Sequence, residues 1–461
     1  MSSQSLHGRP RKTVAFRTIG CKLNQCETAQ MREALRAAGF YLVEWDEQAD
    51  IRVVNTCTVT AKSDRTCRHE IHAARRRDPD CLLAVTGCLA QVASDTVANM
   101  PEVDMVIGNP DKYRLAEHLA IGPVKRVEHS TVAVSPFSAE SDFEAEFLTH
   151  FHGQTRAFLK IQTGCDSSCA YCIVPLARGP ARSMSKDAVL EQVQILTAHG
   201  YREIVLTGVD LGSWGRDKNA WGSLAELLDS LVRCQNGGGR HGDVPKNARF
   251  RLSSLEPLEV DETLLDVIQG SGDDVARHLH LPLQSGSDSV LRQMGRPYSA
   301  EQYLEVLHRI VRRLPDTALG ADVIVGFPGE TDEQFRETVS LIEASPLTYL
   351  HVFSYSDRPG TRAATMGPKI PPHIIRDRSR SLRDLGVRKK AAFCDSLYGS
   401  EQRALVLAER SSDGRSVGLT GNYMEVLVDD DEDMPNRFVR VRLDEALPDG
   451  RWDATLLEKE G

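Results

Sequence analysis

Three cysteines stand in the run Gly164-Cys165-Asp166-Ser167-Ser168-Cys169-Ala170-Tyr171-Cys172, a C-x3-C-x2-C spacing with an aromatic residue just before the last cysteine. Thiolates so spaced on one short loop can ligate three irons of a 4Fe–4S cluster and leave the fourth iron without a protein ligand. That open iron suits a cofactor that chelates through an amino and a carboxylate group. Structural zinc is the competing reading, but it closes its shell with four ligands, usually in paired knuckles. No second cysteine pair lies nearby.

A second constellation is spread over the first ninety residues. Cys21 follows Ile19-Gly20, Cys57 follows Asn55-Thr56, and Cys88 ends Thr86-Gly87-Cys88, each two or three residues past a β-branched run. In a parallel sheet the carboxyl ends of the strands share one edge, so three distant cysteines can converge there. Three thiolates at such an edge would make another cluster with one open iron. The competing reading is three unrelated buried thiols, since free cysteine is among the most buried residue types. Cys26, Cys67, Cys81, Cys234 and Cys394 lack the placement and read as structural.

The elements that must position these residues follow from period and punctuation. Thr13–Thr18, Asp50–Val54, Leu82–Thr86 and Val103–Gly108 are short strand-like runs separated by helical patterns at Glu27–Ala38 and Asp64–Arg77. Such alternation predicts a parallel-sheet α/β domain over residues 12–124. A Ser/Glu/His-rich stretch, 125–152, reads as a linker. Residues 153–390 repeat the alternation, with strands expected at Phe158–Gln162, Glu203–Thr207, Arg249–Ser253, His278–Leu283, Ala321–Val325 and Tyr349–Phe353. Six parallel strands with crossover helices predict a partial (βα)6 barrel, which keeps its chemistry at the carboxyl ends of its strands. Gln235–Asn247 reads as a flexible loop within it. Residues 394–459, with alternating runs at Arg403–Leu407, Met424–Val428 and Phe438–Leu443, predict a small all-β barrel.

Composition bounds the function. The 461 residues carry 56 Lys+Arg and 65 Asp+Glu, a charge of −9, with 41% hydrophobic residues, which excludes a disordered chain and a disulfide-dense scaffold. No run approaches a membrane span, and the polar N-terminus is not a secretory signal. The expectation is a cytoplasmic enzyme, a setting in which cysteines more often hold metal or do chemistry than form disulfides; six of its eleven cysteines have that role in the two sets above.

The cysteine loop followed by six strand–helix units resembles the radical S-adenosylmethionine (SAM) enzymes, in which an electron from the cluster cleaves SAM to a 5′-deoxyadenosyl radical. The resemblance implies that Tyr171 offers its backbone to the SAM adenine and that Thr207-Gly208-Val209-Asp210 meets the amino group. It also implies that the segment Asp322–Val325 flanks the adenine. Gly20-Cys21-Lys22-Leu23-Asn24, Asn55-Thr56-Cys57 and Thr86-Gly87-Cys88 resemble the three auxiliary-cluster segments of the methylthiotransferases, whose C-terminal β-barrel is of the TRAM type. The similarity covers roughly residues 12–459. Within that family it is nearest the tRNA N6-threonylcarbamoyladenosine (t6A), MtaB-like, branch. This rests on Ile173–Gly179, Thr207–Gly212, Arg251–Pro257, His278–Ser287, His351–Ser356 and Gly360–Ala363. Cys26 stands where the family usually has tyrosine.

The resemblance implies two 4Fe–4S clusters, on Cys165, Cys169 and Cys172 and on Cys21, Cys57 and Cys88, with SAM as both methyl donor and radical source. The implied partners are tRNA, an electron donor and a sulfur source. The alternatives are isopentenyladenosine in tRNA and a ribosomal-protein aspartate as substrate. Arg178 or Arg362 near a carboxylate would favour the threonylcarbamoyl group. Residues 397–461 hold 8 Lys+Arg and 15 Asp+Glu, so −7 of the −9 lies there and bulk attraction to RNA is weak. Asn422-Tyr423 suits a splayed-out base, and the basic runs Lys62–Arg77 and Arg376–Lys390 are candidate RNA faces, the second preferred.

Overall fold

The computed structural model describes residues 12–121, 126–127, 129–138, 143, 147–151, 153–218, 221–235, 248–429 and 434–460. Residues 236–247 of the expected loop and 430–433 of the acidic run Asp429–Asp433 lie outside the described residues. The chain divides into two compact units, Met1–Phe147 with Ile173–Gly179, and Leu148–Cys172 with Pro180–Gly461.

The first unit is built on a six-stranded parallel sheet. Its spatial order is Tyr41–Val43, Thr13–Thr18, Ile51–Thr56, Leu82–Gly87, Met105–Ile107 and Thr131–Ala133. Ile51–Thr56 and Leu82–Gly87 are buried at every position, as central strands covered on both faces must be. Met31 and Leu35 of helix Lys22–Ala37 pack with Val14, Ile51 and Leu82 on one face. Cys67, Ile71 and Ala74 of helix Ala61–Arg77 pack with Val54, Leu83 and Val85 on the other. The outermost strands, Tyr41–Val43 and Thr131–Ala133, carry too few residues for a period-2 pattern, and the second falls in the stretch read as linker.

In the second unit Ala157–Lys160, Glu203–Thr207 and Arg249–Leu252 form one parallel sheet, and His278–His280, Ala318–Val325 and Tyr349–Ser354 form another. Parallel bridges Phe250–Val275 and Ser254–His280 join them, so six strands run in sequence order as the wall of a partial barrel. Helix Pro372–Leu397 leads to a closed five-stranded barrel of Glu401–Arg410, Ser416–Thr420, Glu425–Val428, Phe438–Ala446 and Trp452–Lys459. Closure leaves it no exposed strand edge, and Val406, Val426, Val441 and Trp452 fill its interior.

An ion cluster ties the two barrels together. Arg249 and Arg251 alternate onto the same strand face, and both guanidiniums bind Glu203, which is fully buried. Their remaining N–H groups donate to the small barrel's carbonyls, Arg249 to Leu419 at 2.8 Å and Arg251 to Thr420 at 3.0 Å and Gly421 at 2.9 Å. Burial alone would push the Glu203 carboxyl up, but the arginines hold it far below the usual range. Glu203→Gln is expected to cost about 3–5 kcal/mol, because it leaves two buried cations without their counter-charge. Denaturant unfolding measures it.

Candidate active site

The second unit's cysteine loop begins just past the paired residues Gln162–Thr163, at the carboxyl end of the first barrel strand. Backbone bonds clamp it: Ala170 N–H donates to Met294 at 2.8 Å, and Ala363 N–H donates to Ala170 at 2.7 Å. Tyr171 packs against the apolar cluster of Ala170, Val290, Met294, Phe327 and Ala363. Ile324 packs on that same cluster, which brings the segment Asp322–Val325 to the cysteine loop.

Gln162 couples the loop to the next strand end. Its Nε2 donates to the Gly164 carbonyl at 2.9 Å, while its Oε1 accepts from the backbone N–H groups of Val209 at 2.8 Å and Asp210 at 3.0 Å. Gly208 N–H donates to Ser253 Oγ. The Asp210 carboxylate lies 3.9 Å from Cys165 Sγ, and Arg296 Nη1 lies 3.3 Å from Cys169 Sγ. Arg296 also pairs with Glu256. Burial disfavours the Arg296 charge, but Tyr298, Tyr171, Glu256 and Cys169 together hold its pKa above the ordinary value. Sequence alone assigns Gln162, Arg296 and Glu256 no role; Gln162 and Glu256 lie at or just past strand ends, whereas Arg296 sits in the turn after helix Asp288–Met294, where nothing local marks it.

Asp210 shares its surroundings with Glu259. Burial, then the Asp210 charge, push the Glu259 carboxyl up to about 8, with Arg216 at 3.0 Å opposing them. A carboxyl raised from 4.5 contributes stability that is intact below about pH 4.5 and is lost as pH rises through about 8. The expected alkaline loss is up to about 5 kcal/mol, and Glu259→Gln should flatten it. Unfolding midpoints of the two proteins from pH 4.5 to 8 check this.

In the first unit the three other cysteines meet at one sheet edge. Cys57 and Cys88 directly follow their strands, which run one or two residues further than their β-branched patterns, and Cys21 caps helix Lys22–Ala37. Two left-handed glycines permit the approach. A Cβ on Gly20 (φ +112°) would lie 2.7 Å from Cys57 Cβ, and one on Gly87 (φ +93°) would lie 2.4 Å from the Thr56 carbonyl. Asn24 bridges the first two segments, donating to the carbonyls of Ile19 at 2.7 Å and Thr56 at 3.0 Å. Cys57 and Cys88 are buried and Cys21 is exposed.

Charge is concentrated beside them. Arg178 Nη1 lies 2.8 Å from Glu27 Oε1, Lys112 Nζ lies 2.6 Å from Glu27 Oε2, and all three residues are almost wholly buried. Burial disfavours the Arg178 cation, yet Cys88, Glu27 and Cys21 hold its pKa well above the ordinary value. Asn109 Nδ2 lies 3.7 Å from Cys88 Sγ. Arg178 thus engages Glu27 and Asn24 of its own unit, and Arg362 is exposed. Cys67 touches the Cys57 backbone through its Sγ, and burial pushes its thiol up to about 12.

Both cysteine sets fit an iron–sulfur cluster on donor chemistry. Each has three thiols with a guanidinium nearby, Arg296 at 3.3 Å from Cys169 Sγ in one and the buried Arg178 in the other. Burial pushes Cys165 and Cys57 above the usual thiol range, so a bound metal cation is what favours their thiolates.

Two expected RNA contacts change character. Asn422 is buried and accepts from Thr420 Oγ1, and the Tyr423 ring stacks on His278 at 4.6 Å with Arg251 over it at 5.0 Å. On helix Pro372–Leu397, Arg378 is buried against Glu330 and Asp332, while Arg376, Arg380, Arg383, Arg388 and Lys390 are exposed. Lys390, Tyr423 and Arg451 line a cavity of about 420 Å³ between the two barrels of this unit.

Residues 159–342 match the radical SAM superfamily and residues 13–108 match the uncharacterized protein family UPF0004. The chain is 38% identical to the threonylcarbamoyladenosine tRNA methylthiotransferase MtaB of Aquifex aeolicus, over 90% of this chain and 96% of that one. It is 36% identical to the enzyme of the same name from Bacillus subtilis, over 94% and 93%. It is 31% identical to the tRNA-2-methylthio-N(6)-dimethylallyladenosine synthase of Bacillus velezensis, over 94% and 83%. Among solved structures, the radical SAM methyltransferase TsrM of Kitasatospora setae shares the fold, with a TM-score of 0.56 and 16% identity over 77% of this chain and 75% of that one.

Proposed function

The chain belongs to the radical-SAM tRNA methylthiotransferase family, and from that premise we propose that it adds a methylthio group to C2 of t6A next to the tRNA anticodon. The observation that carries this substrate is that relatives named for threonylcarbamoyladenosine reach 36–38% identity over 90–94% of this chain, whereas the relatives compared that are named for dimethylallyladenosine are 31–34% identical.

An adenine C2–H is an unactivated bond that no side-chain base deprotonates at useful rates, so the hard step falls to cofactors while the protein supplies position and electrostatics. Cys165, Cys169 and Cys172 would hold one 4Fe–4S cluster, and Cys21, Cys57 and Cys88 the auxiliary one. With SAM bound, these groups supply the electron, the radical and the methyl group. The chain's own residues do the positioning. Gln162 holds the Val209 and Asp210 backbone beside the cysteine loop, and we assign the segment Gly208–Asp210 to the SAM amino group. The Tyr171 backbone and the segment Asp322–Val325 are assigned to the adenine, and Arg296 holds positive charge beside Cys169. An electron donor and a sulfur source complete the partners, and the setting is the cytoplasm.

Anaerobic reconstitution with iron, sulfide and SAM, given tRNA bearing either t6A or isopentenyladenosine, tests the reading. Nucleoside mass analysis should find the methylthio group on t6A; methylthiolation of the isopentenyl nucleoside alone overturns the substrate assignment.

A further inference from the structure

The last three barrel strands carry a side-chain cluster in which His280 and His351 have no part in the roles above and Asp322 opens the segment assigned to the adenine. Successive strand residues point to opposite faces, so His278 and His280, Gly320 and Asp322, and Tyr349 and His351 share one face. The register pairs His280 with Gly320 and Asp322 with His351. His280 Nε2 lies 3.0 Å from Asp322 Oδ1, and His351 Nδ1 lies 3.2 Å from the same oxygen. All three donor atoms fall within 4.8 Å of one another.

Around them the face is built for this convergence. A Cβ on Gly320 would lie 2.0 Å from the Tyr349 ring, so only a glycine lets that ring cross the strand. The Tyr349 hydroxyl then lies 3.3 Å from His280 Nδ1 and 2.7 Å from His278 Nε2. Engaging Nδ1 of His280 leaves its Nε2 as the atom presented to Asp322, which is how an outer hydrogen bond orients a ligating histidine.

We propose that His280, Asp322 and His351 bind a divalent first-row transition-metal ion, separate from both iron–sulfur sites. Two imidazoles and one carboxylate form a borderline donor set suited to zinc or ferrous iron, and three protein ligands leave positions open for an oxygen ligand. The same contacts could close as a metal-free hydrogen-bonded trio, and the experiment separates the two.

Cluster-replete wild-type enzyme is dialysed against zinc and then against a weak chelator. It should retain about one zinc per chain, and X-ray absorption at the zinc edge should show only nitrogen and oxygen ligands near ~2.0 Å. Asp322→Asn and His351→Ala should each weaken retention by at least about tenfold; His351 is exposed, so its truncation does not threaten folding. No zinc retained by the wild type, zinc retained equally by both variants, or sulfur ligands at ~2.3 Å would each overturn the proposal.

Discussion

Replacing Cys169 with alanine should abolish both SAM cleavage and the methylthiolated product. Three thiolates from one nine-residue loop are the full protein share of a three-ligand cluster, so losing one leaves no site-differentiated cluster to bind SAM. The loop's backbone bonds to Met294 and Ala363 run through Ala170 and do not depend on the Cys169 side chain. The variant should therefore fold with its loop in place and lose the iron of this site. Arg296 would be left 3.3 Å from a missing acceptor, a local cost its pairing with Glu256 reduces. Cys234→Ala and Cys394→Ala, at buried cysteines far along the chain from either set, should leave iron content unchanged. Chromatographic detection of 5′-deoxyadenosine from the Cys169 variant would sink the assignment.

Replacing Cys57 should separate the two activities. SAM cleavage should survive, since its residues lie in the second unit, while methylthio product should fall below detection. Iron content should drop from about eight to about four atoms per chain. Cys57→Ala keeps the backbone contacts with Cys67 Sγ, so the packing loss is limited to roughly 1 kcal/mol. Cys21→Ala, at an exposed position, gives the same uncoupling without a packing cost. Wild-type product yield from both variants would place the auxiliary site elsewhere.

The RNA question is sharpened by burial. Sequence counts treat the seven cations of Arg376–Lys390 alike, but Arg378 is consumed by Glu330 and Asp332 and Lys389 donates to the carbonyls of Glu343 and Ser345. The exposed remainder, from Arg376 to Lys390, is the part of this helix able to meet phosphates. Tyr423, chosen for a splayed-out base, spends its ring on His278 and Arg251 inside its own unit.

What the sequence determined by itself was the local chemistry and the period of the elements. A C-x3-C-x2-C loop is a contiguous signal, and the strand Glu203–Thr207 appears with the bounds its β-branched run implies. Cys21, Cys57 and Cys88 could be grouped because parallel strands put their carboxyl ends on one edge. Only the tertiary structure decided the roles of polar residues whose partners lie far along the chain. Arg178 reaches Glu27 across 151 positions, Arg249 reaches the Leu419 carbonyl across 170, and His280 and His351, 71 positions apart, converge on Asp322. A charge read in sequence carries no partner; desolvation makes burying it costly until a counter-charge is placed within a few ångströms, and strand register and chain crossing settle that placement.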